Sequence, residues 1–285
     1  MKGKIDKTSN VCNDFDLIVI DGMNVVHKFN SIFEKFCDSK KRPTGMFYGV
    51  LNFVCSLKKK YSAEIIFCWD TKPTSRIEID KEYKANRDHT GKSDFYKQVD
   101  ELKKLLSYYG ITQYIAEGYE ADDIAAKIVL DNGKKNILLV SNDNDWWQLL
   151  KNTSVNVLMH NKVYTKEDIE KEYNIDINSY TLYKALHGDS CDNIHSAIQK
   201  CSLDDLRAFC MACNGNIDNI NESNDTKIKK MVSKNIETVM KNLELVTLKN
   251  SGYQLTEIKK KISKKKLITA LRDYEMKALV KRIEL

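Results

Sequence analysis

The 285-residue sequence predicts an α/β protein with a mostly parallel central sheet, helices on both faces of that sheet, and a helical C-terminal region. Short apolar runs alternate with helical patterns up to about residue 160, which is typical of parallel strands joined by helices. From Lys166 onward the patterns are mainly helical. With 42% hydrophobic and 30% charged residues, the chain can bury a sizeable core. We therefore expect an α/β core over residues 15–180 and a helical region over residues 181–285.

The first half of the core begins with a strand. Residues 17–20 form a short, continuous apolar run rich in β-branched side chains, which is the pattern of a buried parallel strand. The preceding residues 1–14 are polar, and we expect a disordered tail there. Residues 44–60 carry a helical pattern, and the apolar run over residues 64–69 predicts the next strand.

The second half of the core continues the alternation. Residues 96–109 and 120–130 place apolar side chains at helical spacing and predict two helices. Residues 137–140 and 155–159 predict two further strands. Residues 214–226 are rich in Asn and Asp and predict a loop or hinge within the helical region.

The bulk properties narrow the class of partner. The net charge is +6, from 46 Lys and Arg against 40 Asp and Glu, which suits a polyanionic partner. No apolar run approaches the ~20 residues that a membrane span needs, and the N-terminus lacks the hydrophobic block of a signal peptide. The one CxxC, at Cys210 and Cys213, has no second pair, so helix packing is favoured over a zinc site. We expect a protein of the reducing cytoplasm with no membrane contact.

Three of the predicted strands end in acidic residues. Asp21 follows the first strand, Asp70 the second, and Asp143 and Asp145 the third. In open parallel sheets, ligands bind beyond the carboxyl ends of the strands. The strand pattern therefore predicts that these carboxylates converge on one edge of the sheet.

Two further acidic clusters come later in the chain: Glu120, Asp122 and Asp123 at the start of a predicted helix, and Asp189 with Asp192. Each has a structural explanation when taken alone, because acids in a first helical turn are stabilised by the helix dipole and acids also cap helices and turns. Nine acids at one site would repel one another without cations. Oxygen ligands select hard ions, so we expect two Mg²⁺ or Mn²⁺ ions. Such a pair, about 4 Å apart, can activate a water and stabilise a leaving oxygen.

Basic residues accompany the acids. Lys84 and Arg87 come after the second strand three positions apart and could share one helix face that points at the acids. A phosphate that enters an acidic metal site needs such cations to offset developing charge, although a solvated surface is an equally good explanation. Six lysines between Lys259 and Lys266 form a second basic patch, for which an exposed charged face is the simpler interpretation.

Six stretches of the chain, taken in order, resemble the bacterial and bacteriophage 5′ nucleases. This family includes stand-alone flap endonucleases and the N-terminal nuclease domain of DNA polymerase I. The matching stretches are residues 18–24, 67–70, 82–87, 118–123, 139–145 and 186–193. The resemblance implies a PIN-like 5′ nuclease core, a short helical arch over about residues 84–104, and a duplex-binding region with a degenerate helix-hairpin-helix-like motif over about residues 186–210.

The resemblance also implies roles for individual residues. Asp21 and Asp70 would act in catalysis together with Lys84 and Arg87. The implied metal ligands are Asp21, Asp70, Glu120, Asp122, Asp123, Asp143, Asp145, Asp189 and Asp192, of which Asp123, Asp145, Asp189 and Asp192 complete the second metal site. The implied DNA contacts are Tyr83, Arg76, Lys84, Arg87 and Lys200, with Tyr83 stacking near a displaced base.

One stretch departs from the family pattern. Residues 194–200 contain no glycine, where the family has a glycine-rich hairpin that grips the duplex backbone and binds a monovalent cation. This difference puts the backbone grip and a K⁺ site in doubt. Duplex binding would then depend more on Lys200 or on the lysine-rich C-terminal segment.

The function that the resemblance implies is hydrolysis of phosphodiesters in branched or nicked DNA. The enzyme would be a metal-dependent flap endonuclease and 5′→3′ exonuclease, with removal of RNA primers from RNA–DNA hybrids as a further activity. We expect a monomer that acts on DNA with a 5′ flap, a nick or a free 5′ end in the cytoplasm of a bacterial or phage-infected cell. Two alternatives stay open. A PIN-like RNase would prefer single-stranded RNA, and a non-catalytic DNA-structure-binding protein would show no metal dependence.

Overall fold

The computed structural model describes residues 14–87 and 90–284. The expected disordered tail therefore lies almost entirely outside the described residues. The strands are β1 (Leu17–Asp21), β2 (Glu64–Cys68), β3 (Thr112–Ile115), β4 (Ile137–Val140), β5 (Val155–Met159), β6 (Lys162–Tyr164) and β7 (Thr256–Glu257). The helices are α1 (Gly22–Ile32), α2 (Gly45–Lys60), α3 (Thr74–Ile79), α4 (Ser93–Tyr108), α5 (Ala121–Asp131), α6 (Lys166–Tyr173), α7 (Tyr180–His187), α8 (Leu203–Ala212), α9 (Thr226–Lys234), α10 (Ile236–Val246), α11 (Lys264–Asp273) and α12 (Lys277–Glu284). Short 3-10 helices cover Asn144–Lys151, Ser190–Asp192 and Ile217–Glu222.

The seven described strands form one sheet in the order β6-β5-β4-β1-β2-β3-β7. The five central strands are parallel, and β6 and β7 are antiparallel at the two edges. The expected α/β class with a mostly parallel sheet is confirmed. The apolar runs predicted β1, β2, β4 and β5, whereas β3, β6 and β7 were missed. β3 contains polar Thr112 and Gln113, and the two edge strands are too short to carry a pattern.

Burial on both faces explains why β1 is apolar from Leu17 to Ile20. Ile18 and Ile20 point into a core that includes side chains of α2, α4, α11 and α12. Leu17 and Val19 point into a second core that includes side chains of α5. Within the described ranges, every helix is too short or too polar to span a bilayer.

The C-terminal part divides differently from the expected boundary. Helices α7 to α9 share a small core with residues such as Leu182, Phe209 and Val232. The chain then returns to the sheet: β7 pairs with β3, and the apolar sides of α11 and α12, including Leu267 and Leu279, join the core around α2 and α4. The last part of the predicted helical region is helical in α11 and α12, but these helices pack on the sheet core and not with α7 to α9. An amphipathic stripe shows that one side of a helix is buried, but it does not show which part of the protein covers that side.

The segment expected as a short helical arch is also built differently. Residues 81–86 form turns, and Lys84 has a left-handed backbone with φ of +56°, which a helix does not allow. The helix α4 starts at Ser93, three residues earlier than the pattern predicted. Lys84 and Arg87 therefore do not share a helix face, and Asp88 and His89 lie outside the described residues.

The stretch expected to resemble a helix-hairpin-helix spans the end of α7, a loop and most of α8. The loop closes onto α7 through main-chain bonds, because the N–H groups of Ala197 and Ile198 both donate to the carbonyl of Leu186. Lys200 is exposed in this loop with φ of +57°. Cys210 and Cys213 are free thiols that are buried in the small core shared by α7, α8 and α9, as expected for helix packing.

Candidate active site

The carboxyl edge of the parallel sheet holds a large acidic cavity. Strands β1, β2 and β4 run in register, so that Ile20 pairs with both Phe67 and Val140 and all three strands end at this edge. The cavity beyond them has a volume of about 920 Å³. Six acids line it: Asp21, Asp70, Asp100, Glu120, Asp122 and Asp143, of which Asp100 lies on α4. The first, second and last lie at or just beyond the ends of strands, and Glu120 and Asp122 belong to the start of α5.

Asp21 is the most enclosed acid of the strand ends, with 7% of its surface exposed. It caps α1, since Oδ1 accepts from the N–H of Asn24 at 3.0 Å, and Oδ2 accepts from the Ser141 hydroxyl at 2.9 Å. Burial, followed by the nearby carboxylates of Asp70 and Asp143, raises the pKa of Asp21 to about 8. A carboxylate held in this way favours a bound proton or a bound cation.

Main-chain donors position the neighbouring carboxylates. Asp70 Oδ1 accepts from the N–H of Ala121 at 2.8 Å, which connects the end of β2 to the start of α5. Asp143 Oδ1 accepts from the N–H of Asp145 at 2.9 Å and caps the 3-10 helix after β4. Burial and repulsion from Asp123 raise the pKa of Asp122. The acids are thus held together by the backbone despite their mutual repulsion.

A second acidic group consists of Asp145, Asp189 and Asp192. One carboxylate oxygen from each lies within 4.8 Å of the others, and such an all-oxygen donor set fits a hard divalent cation. The position of Asp189 is fixed by a tight turn that Gly188 permits. Gly188 has φ of +81°, and a Cβ there would lie 2.6 Å from the carbonyl oxygen of Ile194.

Lys184 lies in the second acidic group and was not found from the sequence. Its Nζ donates to Asp145 Oδ1 and, at 2.6 Å, to Asp189 Oδ2. Burial disfavours the charged form of Lys184, but these carboxylates outweigh burial and raise its pKa. Burial and Asp143 outweigh Lys184 at Asp145, whose pKa rises to about 6. The available signal was a lysine between Leu182 and Ala185 on a helix that is otherwise apolar at this point.

Lys84 and Arg87 converge on the acids as expected, although from turns. Lys84 Nζ donates to Glu120 Oε1 and lies 3.4 Å from Asp192 Oδ2. Arg87 Nη2 lies 2.7 Å from Asp192 Oδ1. Burial disfavours the charged form of Glu120, but Lys84, followed by Arg76, outweighs burial and lowers the pKa of that carboxyl group. The two cations therefore lie between the two acidic groups.

The expected base-stacking role of Tyr83 is not supported. Only 5% of its surface is exposed. Its hydroxyl lies 2.8 Å from Glu120 Oε2 and 3.1 Å from Asp192 Oδ2. Tyr83 therefore packs beneath the site and joins the two acidic groups from below, rather than presenting its ring to a nucleotide.

Arg76 and Asp123 form a buried pair, which contradicts their expected roles in phosphate and metal binding. Arg76 is 1% exposed and Asp123 is fully buried. Arg76 donates to both oxygens of Asp123, to Glu120 at 3.1 Å and to the carbonyl of Leu245 at 2.9 Å. Asp123 also accepts from the N–H of Lys249 and of Glu120. Both side chains are committed to holding α3, α5 and α10 together.

Lys200 is not part of the acidic cavity. It lies exposed in the loop before α8, and its carbonyl accepts from Lys227 Nζ at 3.4 Å. A phosphate contact for Lys200 stays a prediction.

Comparison with known proteins identifies the family. The family model described as the 5′-3′ exonuclease, N-terminal resolvase-like domain, matches residues 16–174. The chain is 32% identical over 256 residues to the 5′-3′ exonuclease of Buchnera aphidicola subsp. Schizaphis graminum, covering 85% of this chain and 86% of that protein. This chain belongs to the 5′–3′ exonuclease family. The resemblance to the 5′ nucleases, and the enzyme class that it implied, are thereby confirmed.

Further relatives agree with membership of the 5′–3′ exonuclease family. The 5′-3′ exonuclease of Aquifex aeolicus is 28% identical, with 94% of this chain and 95% of that protein covered. Among solved structures, the bacteriophage T5 D15 protein co-crystallised with metal ions aligns with a TM-score of 0.63 at 20% identity, over 94% of this chain and 97% of that one. The catalytic core of Rad2 in complex with DNA aligns with a TM-score of 0.55 at 17% identity, over 92% and 88% of the two chains. These structures share the fold.

Proposed function

We propose that this family member hydrolyses phosphodiesters at the 5′ end of branched or nicked DNA in a reaction that requires divalent metal. It would act as a flap endonuclease and 5′→3′ exonuclease, with RNA–DNA hybrids as further substrates. The observation that carries this proposal is the convergence of acids from separate segments of the chain on one sheet edge. The converging acids are Asp21, Asp70, Glu120, Asp122, Asp143, Asp145, Asp189 and Asp192.

Two Mg²⁺ or Mn²⁺ ions suit this donor set, because all the ligand atoms are carboxylate oxygens. The cavity acids, foremost Asp21, Asp70, Asp122 and Asp143, would hold one ion. Asp145, Asp189 and Asp192 would hold the other, next to the ammonium of Lys184. When bound, such ions supply an activated water and stabilise the charge on a leaving oxygen. We propose no K⁺ site.

The protein's own cations would receive the scissile phosphate. Lys84 and Arg87 border the cavity and neutralise Glu120 and Asp192, so an incoming phosphate can share these charges without a large movement of either side chain. Fixed cations at the position where negative charge develops stabilise a transition state without reorganisation. Tyr83 would orient Glu120 and Asp192 through its hydroxyl, as a positioning residue.

DNA would approach the cavity along its basic rim. Lys72, Lys81, Lys92 and Lys103 line the cavity together with Lys84 and Arg87. Lys200 and the loop between α7 and α8 are the proposed contacts for duplex further from the acids. Rad2 and the T5 D15 protein, which share this fold, have both been solved with DNA, which supports a DNA substrate.

Cleavage of end-labelled substrates tests the proposal. The substrates are a 5′-flapped duplex, a nicked duplex, an RNA–DNA hybrid and a single-stranded RNA, each with Mg²⁺, Mn²⁺ or EDTA. We expect metal-dependent release of short 5′ products from the DNA substrates. Preference for single-stranded RNA would favour the PIN-like RNase. Binding without cleavage in every metal condition would favour a DNA-structure-binding protein, which the eight converging acids argue against.

A further inference from the structure

The lysine-rich C-terminal segment lies at the edge of the sheet opposite the acids. Ser107 donates to the carbonyl of Lys259 at 3.1 Å and accepts from the N–H of Lys261 at 2.8 Å, so the segment is fixed to the end of α4. The cavity borders α4 from Tyr96 to Lys103, and the segment is fixed one turn further on, at Ser107. Strand β7 runs antiparallel to β3, and the N–H of Ile258 donates to the carbonyl of Gln113, so the chain passes the amino end of β3 before it reaches Lys259. The segment therefore lies at the amino edge of the sheet, whereas the cavity lies at the carboxyl edge.

A second run of lysines lies at the same edge. Lys58, Lys59 and Lys60 end α2, just before β2 begins. Lys58 Nζ lies 4.3 Å from the centre of the Tyr109 ring, and the neighbouring main-chain carbonyl of Tyr108 accepts from the N–H of Ser263. The two runs thus meet around the end of α4. We call the combined surface the amino-edge basic surface; its residues are Lys58, Lys59, Lys60, Lys259, Lys261, Lys264, Lys265 and Lys266.

The lysines of this surface lack acidic partners among the described residues. All eight are exposed, and none forms an ion pair with a described carboxylate, whereas the adjacent Lys260 pairs with Glu257 at 3.2 Å. Lys264 Nζ reaches a main-chain carbonyl, that of Glu284, at 3.5 Å. Such a concentration of like charge is unfavourable to the folded chain unless anions offset it.

The position of three of these lysines is unfavourable in a second way. Lys264, Lys265 and Lys266 form the first turn of α11, which contains no acid. Cations in a first turn are disfavoured by the helix dipole. Contacts within the fold offset part of this charge, since Lys264 reaches a carbonyl and Lys266 lies 5.9 Å from the centre of the Tyr108 ring. None of these partners is an anion, and a bound polyanion would offset the remaining charge.

We propose that the amino-edge basic surface binds the phosphate backbone of a second nucleic-acid segment while the acidic cavity holds the first. Lysines are flexible point charges, and a broad exposed set of them suits sequence-independent contact with successive phosphates. Exposed Ile262, 72% accessible in the middle of the set, would meet sugar carbons. The presence of a first segment in the cavity rests on the proposed function, whereas binding at the amino-edge basic surface, which lies outside the cavity, is measured separately. An acidic protein segment is the competing occupant.

Lysine footprinting locates the contact directly. The wild-type chain is acetylated in EDTA with and without a 12-base-pair duplex, and modified lysines are read by mass spectrometry. We expect the duplex to protect Lys264 and Lys265 severalfold while exposed Lys171 on α6 keeps its reactivity. Full reactivity of Lys264 and Lys265 at saturating duplex would overturn the proposal. So would protection by polyglutamate at a charge concentration where the duplex gives none, which would identify the occupant as acidic protein.

A pair of charge-matched variants measures the contribution to binding. Lys264→Ala/Lys265→Ala removes two charges from the surface, and Lys166→Ala/Lys171→Ala removes two from α6 at the other side of the sheet. Each phosphate contact contributes about 0.9 to the slope of log affinity against log salt. We expect the first variant to lose about 1.8 from this slope for the duplex bound at the amino-edge basic surface, with the second variant unchanged. Equal slopes in the two variants would contradict the proposal.

Two features keep the experiment decisive. Alanine favours a helix at least as well as lysine, so the variants should fold, and far-ultraviolet circular dichroism checks this. The binding measurements contain EDTA and need no cleavage. A failed nuclease assay would therefore leave them interpretable, and a failed binding result would leave the proposed nuclease function standing.

Discussion

The guanidinium of Arg76 donates to both carboxylate oxygens of Asp123, at 2.6 and 2.9 Å, and both side chains are buried. The same guanidinium donates to Glu120 at the cavity and to the carbonyl of Leu245 in α10. This pair therefore connects the nuclease core to the C-terminal helices directly behind the acidic site. The fixed position of Glu120 depends on it.

Arg76→Met should strongly destabilise the protein. Removing one partner of a buried ion pair leaves an uncompensated charge, here Asp123, and typically costs about 3–5 kcal/mol. Urea unfolding at neutral pH measures this loss. If Arg76 instead contacted phosphate, the variant would keep nearly wild-type stability and lose DNA affinity, which is the result that would contradict the structure.

Two adjacent acids provide a matched comparison. Asp123→Asn should lower the free energy of unfolding, because the amide cannot accept the donors of Arg76 at both of its terminal atoms. Asp122→Asn should leave the fold intact, since this carboxylate borders the cavity, and should abolish metal-dependent cleavage. Denaturation and cleavage are measured on both variants. Equal stability of the two, with equal loss of cleavage, would restore Asp123 as a metal ligand.

The different positions of Asp122 and Asp123 could not be predicted from the sequence. Strand-terminal acids were placed correctly at the sheet edge, because parallel strands share one direction and their last residues therefore lie at the same edge. Within the run Glu120 to Asp123, however, each acid has the same chemistry, and only the rotation of α5 decides that Asp123 is buried against Arg76 while Glu120 and Asp122 line the cavity. Tyr83 is similar: an aromatic beside Lys84 suits base stacking, and only the packing of the turn shows that the ring is buried.

The packing of the C-terminal helices against distant parts of the chain could not be predicted from the sequence either. Nothing local in the sequence of α11 and α12 distinguishes a helix that binds duplex from one that covers the sheet. Lys184 was missed for the same reason, because its significance depends on Asp145, which is 39 positions away.

The substitution Tyr83→Phe removes only the hydroxyl group and therefore tests the role of that group. The ring should stay packed, so the fold should persist, while Glu120 and Asp192 lose a shared donor. Loss of a group that orients metal ligands typically weakens metal binding about 10- to 100-fold. We expect a higher Mg²⁺ concentration for half-maximal cleavage, at an unchanged DNA affinity in EDTA. An unchanged Mg²⁺ requirement with weakened flap binding would indicate base stacking instead.

Asp21→Asn should stabilise the metal-free protein at alkaline pH. The pKa of Asp21 is raised in the folded state to about 8 from an ordinary value of 3.8. Its protonated form therefore contributes stability that is fully present below pH 4 and is lost as the pH rises through about 8. In EDTA the variant should gain in melting temperature over the wild type between pH 5 and pH 8, by about 2–4 °C for each kcal/mol. A pH-independent difference between the two proteins would show that Asp21 is not strained by its acidic neighbours.

The most direct test of the central claim is single-turnover cleavage of a 5′-flapped duplex by Asp143→Asn beside the wild type, with DNA affinity measured on the same samples. Asp143 borders the acidic cavity and supplies an oxygen to it, whereas phosphate affinity is expected to come from the cations. We predict that the variant binds the flap as tightly as the wild type in EDTA and releases no product in Mg²⁺. Cleavage at the wild-type rate would contradict a metal-dependent nuclease site at this edge of the sheet.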